Sequence, residues 1–147
     1  MKPKKAYIIL TLLIMVAGVF SGCIINKFLY GKLIYEQEKE FSSYINFDFK
    51  LNQSKLKHQI NININYKKTN RLSSGGFKAE LKTPSGKTKT KKLTVSSSGD
   101  GSGYVSAEKA LFGIKPEKGK YKLTITEDKN SDLTANKVTL KIYKKDK

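Results

Sequence analysis

Residues 58–66 read HQINININY. Ile60, Ile62, Ile64 and Tyr66 alternate with Asn61, Asn63 and Asn65, a period of two that puts every apolar side chain on one face of an extended strand. A helix would spread the same isoleucines around its circumference. Asparagine is disfavoured in strands, so the packing of the isoleucine face has to hold this segment extended. The asparagine row projects from the other face. Its plain reading is a solvated outer surface in a chain rich in Lys, Asn and Ile; its functional reading is a polar platform for sugar hydroxyls or a partner strand.

The same period recurs on both sides. Ile45, Phe47, Phe49 and Leu51 alternate with Asn46, Asp48 and Lys50, and a turn over 52–57 joins this run to His58. After a loop over 69–76 holding the pair Gly75-Gly76, Phe77, Ala79 and Leu81 mark a third strand, ended by TPSGK (83–87). Thr88–Val95 follows, with Lys89 and Lys91 on the side of Leu93 and Val95, the inward charge of a protected edge strand. Tyr104–Ala107, Tyr121–Ile125 and Val138–Ile142 complete about seven short strands with turns between them, which predicts an all-β chain folded as a single antiparallel β-sandwich. The domain is expected over 45–147.

Composition narrows the function classes. The chain has 147 residues, 29 Lys and Arg against 12 Asp and Glu, and a formal charge of +17. Arg71 is the one arginine, so bidentate reading of bases or phosphates has little to work with, and diffuse attraction to anionic polymers suits the lysines better. No sequence-specific nucleic-acid partner is expected. The runs KTKTKK (87–92) and KKDK (144–147) lack the interleaved aromatics that stack on single strands. One cysteine and one histidine allow neither an internal disulfide nor a Cys/His metal cage, and no cofactor is expected. Catalysis finds no partners either. His58 shares the side of Ile60 and reads as a packed strand-end residue, and no second histidine is there to activate a loop serine. The carboxylates are scattered, and no phosphate-cradling glycine loop follows a strand.

Two stretches imitate calcium loops. SGDGSGYVSAEK (98–109) begins with Ser98 and ends on Lys109 where a bidentate Glu belongs, and reads as a glycine-rich connection. DKNSD (128–132) offers Asp128, Asn130 and Asp132 at alternate positions, a weak ion site at most, because Leu133 stands where the turn glycine belongs.

The N-terminus has a different composition. Lys2, Lys4 and Lys5 precede an apolar run from Ala6 to Phe20, and Ser21-Gly22 then precede the lone Cys23. This is the layout of a secretory signal. The residues FSGC (20–23) resemble the lipobox of bacterial lipoprotein precursors, although Phe20 stands where that family has Leu. The resemblance implies cleavage between Gly22 and Cys23, lipidation of Cys23, loss of residues 1–22, and a monomer held on the outer face of a Gram-positive-type membrane. Residues 24–44 are then a tether, read as a short amphipathic or linker helix. Loss of three lysines from +17 would leave +14. The competing reading keeps 6–25 as an uncharged transmembrane helix of the right length, and a cleaved secreted chain is a third. The piece ALFGIKPEKGKYKLTIT (110–126) resembles a segment of immunoglobulin-like surface modules, which implies that Tyr121 pins a corner between the sheets. The expected role is a non-enzymatic surface protein contacting another protein or an anionic envelope polymer. An accessory solute-binding lipoprotein, with a pocket lined by Phe47, Phe49 or Tyr66, and an immunity or exclusion lipoprotein are the alternatives.

Overall fold

The computed structural model describes residues 30–68, 73–97 and 103–146. The signal-like segment, Gly22 and Cys23 lie outside the described residues. Eight strands run in chain order: β1 (Lys32–Glu40), β2 (Tyr44–Leu51), β3 (His58–Lys68), β4 (Ser73–Lys82), β5 (Thr88–Ser97), β6 (Gly103–Ile114), β7 (Gly119–Glu127) and β8 (Thr134–Lys144). All pairings are antiparallel, in two four-stranded sheets of order β1-β8-β3-β6 (sheet I) and β2-β7-β4-β5 (sheet II). The β-sandwich read from the alternation is therefore present, with one strand more than expected.

The pairing is nested. β1 pairs with β8, β2 with β7, β3 with β6 and β4 with β5, so four strands run out and four run back as one long hairpin rolled into two layers. This is the eight-stranded jelly-roll form of a sandwich. It departs from the immunoglobulin-like order expected from 110–126, in which the first strand lies beside the second. The extra pairings β3–β8 and β4–β7 join the turns of the roll within each sheet. Between the sheets, Ile60, Ile62, Ile64, Leu140 and Ile142 meet Phe47, Leu81, Leu123 and Ile125, all of them fully buried.

The strand missed in the sequence is β1. Segment 32–40 is neither tether nor helix but the edge of sheet I. Its inward residues Tyr35, Gln37 and Lys39 lie opposite Ile142, Leu140 and Val138, while Glu36, Glu38 and Glu40 face outward. No apolar alternation marks it, because the inner side of this edge is only half buried. The Tyr35 ring lies 5.8 Å from that of Phe49 and its hydroxyl donates to Gln37 Oε1 at 3.0 Å. Lys39 donates to the Asn46 carbonyl at 2.8 Å, with its ammonium 5.4 Å from the centre of the Phe47 ring. An inward lysine on an edge strand discourages pairing with another chain. β5, the outer strand of sheet II, uses the device as expected: Lys91 donates to the Ala110 carbonyl of β6 at 2.8 Å.

Two other boundaries differ. The pair Gly75-Gly76 lies inside β4 rather than in a loop. These glycines serve close approach, since a Cβ on Gly75 would stand 2.7 Å from Ser131 Oγ and one on Gly76 3.1 Å from the Asp128 Cβ, where the β7–β8 connection crosses them. β6 continues through Ile114, with a bulge where Asn61 and Ile60 face Ala110 and Phe112. Tyr121 makes the corner contact: its hydroxyl donates to the Glu117 carbonyl at 3.1 Å and accepts from the Glu117 amide at 2.7 Å, and its ring stacks on Phe49 at 5.4 Å.

Gly31 admits β1 to the sheet. Its φ of +90° lies in the region that favours glycine, and a Cβ there would collide with the Lys144 carbonyl. Gly31→Ala should cost about 1–2 kcal/mol from the backbone alone. It should also speed amide exchange across Tyr35–Lys39 while leaving β3 protected, which hydrogen-exchange mass spectrometry of the full chain would read.

Candidate binding faces

The outer faces of the two sheets differ in chemistry. On sheet I, register sets Asn61, Asn63 and Asn65 of β3 beside Lys141, Thr139 and Lys137 of β8 and beside Ala110, Glu108 and Ser106 of β6. Glu36, Glu38 and Glu40 close the far edge opposite the same β8 residues. Four carboxylates thus share this face with Lys137, Lys141 and, at the end of β3, Lys67. The asparagine row is not the solvated surface that composition suggested: Asn61 is fully buried, and Asn63 and Asn65 are half-buried, because β3 is a central strand flanked by long side chains on both sides.

Glu108 organises the face. Its Oε1 accepts from Asn61 Nδ2 at 2.9 Å and from the Tyr143 hydroxyl at 3.0 Å, and Lys141 Nζ lies 3.4 Å from its Oε2. Burial first, and the hydrogen bond to Glu108 second, hold the Tyr143 hydroxyl well above the ordinary tyrosine value; Tyr30 covers its ring at 5.4 Å. The Oδ1 atoms of Asn61, Asn63 and Asn65 are buried without a hydrogen-bond partner among the described residues. Buried acceptors left in this way cost about 1–3 kcal/mol each. Their spacing of two residues along β3 sets these residues about 6.8 Å apart. Further out, Lys137 pairs with Glu38 at 2.9 Å, which raises the lysine pKa through that hydrogen bond.

Sheet II carries the opposite sign. Lys50 faces Lys120, Lys82 faces Lys122 and Lys78 faces Lys92, three directly opposed lysine pairs with Asp48 and Glu80 the carboxylates among them. Like charges directly opposite each other on a sheet are destabilising. Asn46 and Thr124 bond between two of these rows, with Thr124 Oγ1 donating to Asn46 Oδ1 at 2.7 Å. Beside Gly76 a hollow of about 390 Å³ opens, lined by Lys78, Lys92, Thr94, Thr126, Asp128 and Lys129. Neither Glu108 nor the lysine pairs were singled out in the sequence, because register alone creates them.

The other singled-out residues fall elsewhere. Asp128 and Asp132 lie in a turn sewn to β4, with the Asp128 amide donating to the Gly76 carbonyl at 2.8 Å and the Asp132 amide to Ser74 at 3.0 Å. No cluster of three or more His, Cys, Asp or Glu able to hold a metal occurs among the described residues. Of the second half of 98–109, Gly103 onward is strand β6. His58 opens β3, buried, with Nδ1 3.1 Å from the Leu56 carbonyl. Phe47, Phe49 and Tyr66 are buried in the core; Phe49 also borders a hollow of about 540 Å³ with Tyr35, Asp48, Lys50 and Lys120. No helix among the described residues is long and apolar enough to cross a membrane.

No protein-family model matches the chain, and no curated protein matches it. Among solved structures, it is similar to the VP2 protein of infectious bursal disease virus, in a D431N mutant from derived T=1 particles. The identity is 14%, the TM-score is 0.39, and the match covers 75% of this chain and 29% of that one.

Two measurements test the sheet I network. Glu108→Ala strands the buried Asn61 amide and should cost about 1–3 kcal/mol in urea unfolding, whereas Glu38→Ala, which removes an exposed pair, should cost about 0–1 kcal/mol. Because the folded state holds the Tyr143 proton more tightly than the unfolded chain, its contribution is complete below the unfolded tyrosine value of about 10 and is lost as pH rises beyond it. Tyr143→Phe should therefore flatten the alkaline fall in stability relative to the parent protein.

Proposed function

We propose that the chain is a lipid-anchored, non-enzymatic surface protein that holds an anionic envelope polymer against the lysine face of sheet II. The anchor rests on FSGC (20–23), with cleavage after Gly22 and a diacylglyceryl group on Cys23. Two or three acyl chains at one residue give stable membrane attachment where one does not.

The observation that carries the polymer reading is the triple lysine opposition Lys50/Lys120, Lys82/Lys122 and Lys78/Lys92. Directly opposed lysines lower stability, and the sheet offsets them only through the exposed Lys78–Glu80 ion pair at 3.3 Å and through Asp48 opposite Lys122. A phosphate-bearing polymer lying across the face would neutralise all three pairs at once. Lysine, a mobile point charge, suits a flexible polyanion without a fixed sequence.

The test joins both parts. Metabolic labelling with a clickable palmitate should mark the parent chain and not Cys23→Ala. The double variant Lys92→Glu and Lys120→Glu should be more stable than the parent, by about 0.2–1 kcal/mol per relieved pair. It should also lose binding to poly(glycerol phosphate) in a salt-dependent manner. Equal palmitate labelling of Cys23→Ala would defeat the anchor, and polymer binding unchanged in the double variant would defeat the lysine face.

A further inference from the structure

The roll brings four separate parts of the chain to the end at which β1 begins. The β2–β3 connection (52–57), the β4–β5 turn (83–87), the β6–β7 connection (115–118) and the residues after β8 all lie there, tied by the Lys145 amide to the Lys57 carbonyl at 2.9 Å, the Ser54 amide to Pro116 at 3.3 Å and Ser85 Oγ to Glu117 at 3.1 Å. They carry exposed Lys55, Lys57, Lys87, Lys115, Lys118 and Lys145. Lys32 and Lys144 face each other at the adjoining strand ends. Against these eight lysines stand Glu117 and Asp146. The opposite end is different among the described residues: Glu40, Glu127, Asp128 and Asp132 gather there with Lys67 and Lys129. The molecule is therefore charged along its long axis as well as across its sheets.

The lysine end also carries apolar surface. Leu33 and Ile34 are 42% and 41% exposed at the start of β1, where the register with β8 shifts. Both stand within eleven residues of Cys23 in the chain. The seven residue steps from Cys23 to Tyr30 can span no more than about 25 Å even fully extended. A lipid on Cys23, or a retained span over 6–25, thus holds the lysine end close to the bilayer.

From this coincidence of tether, charge and exposed apolar residues we infer that the lysine end is a membrane-docking base, which seats on the anionic lipid of the bilayer carrying the anchor and inserts Leu33 and Ile34 at the headgroup level. The inference rests on the membrane anchor proposed above, though not on which form that anchor takes. Lysines near an anionic leaflet are attracted over about a Debye length, within reach of so short a tether. Docking at this end stands the roll upright, leaving the lysine pairs of sheet II and the asparagine face of sheet I at its sides, both open to the envelope.

The chain contains no tryptophan, so a single introduced indole reports its own surroundings. The full-length chain carrying Ile34→Trp, or Thr90→Trp on the exposed outer side of β5, is reconstituted into vesicles of phosphatidylcholine alone or with phosphatidylglycerol. The expected result is a blue-shifted emission for the indole at position 34, quenched by brominated lipid, in the phosphatidylglycerol vesicles. The shift should be absent in phosphatidylcholine, abolished by high salt, and abolished when Lys55, Lys57, Lys115 and Lys118 are changed to Glu. The position 90 indole should not respond. Protein that floats with the vesicles while the position 34 emission stays water-like overturns the docking base and leaves the anchor standing. Protein that does not float overturns both. A shift produced by soluble poly(glycerol phosphate) but not by vesicles overturns docking and gives this end to the polymer.

Discussion

Everything described depends on the register of β3. It lies between β8 and β6, and its side chains alternate without interruption from Ile60 to Tyr66. A slip of one residue would turn Ile60, Ile62 and Ile64 to the outside and drive three asparagines into the core. Each exchange would lose the burial of a large aliphatic side chain, about 1.5–3 kcal/mol, and add an amide with no partner. The isoleucine face thus fixes the register, and the register then decides which polar side chains become neighbours on the outside.

That dependence explains the chemistry of the two faces. With β3 fixed, Glu108 has Asn61, Lys141 and Tyr143 within bonding distance, and three buried asparagine oxygens stand in a row without a partner among the described residues. The nested pairing then sets β2, β7, β4 and β5 into the second sheet, where the lysine pairs come together. A formal charge of +17 spread evenly would be an ordinary solvated surface. Among the described residues the carboxylates concentrate on sheet I and at the end where β1 finishes, leaving sheet II and the end where β1 begins strongly basic.

The sandwich was legible because seven of its strands keep one face apolar, and period two survives in them whatever their partners. β1 was not legible, because its inner residues are Tyr35, Gln37 and Lys39, whose half-buried contacts with Phe49 and Phe47 exist only after the sheets close. Its loss from the reading also hid the nested order, since β1 is the outer turn of the roll. Tyr121 was found from its Pro-Gly-Tyr context, while the partner of its hydroxyl, the Glu117 backbone, comes from the structure alone. Glu108 and the lysine pairs could not be read from the sequence: partners 47, 33 and 35 residues from Glu108 meet only through register.

The most direct test is therefore of register itself. Asn63 and Thr139 are direct cross-strand partners, and such a pair has a Cα separation of about 4.5–5.5 Å, within disulfide range. In a Cys23→Ala background, the pair Asn63→Cys and Thr139→Cys should oxidise to an internal disulfide with the protein still folded. The pair Asn63→Cys and Leu140→Cys should not, since those side chains leave opposite faces of the sheet. Efficient closure of the second pair, with none of the first, would contradict the account.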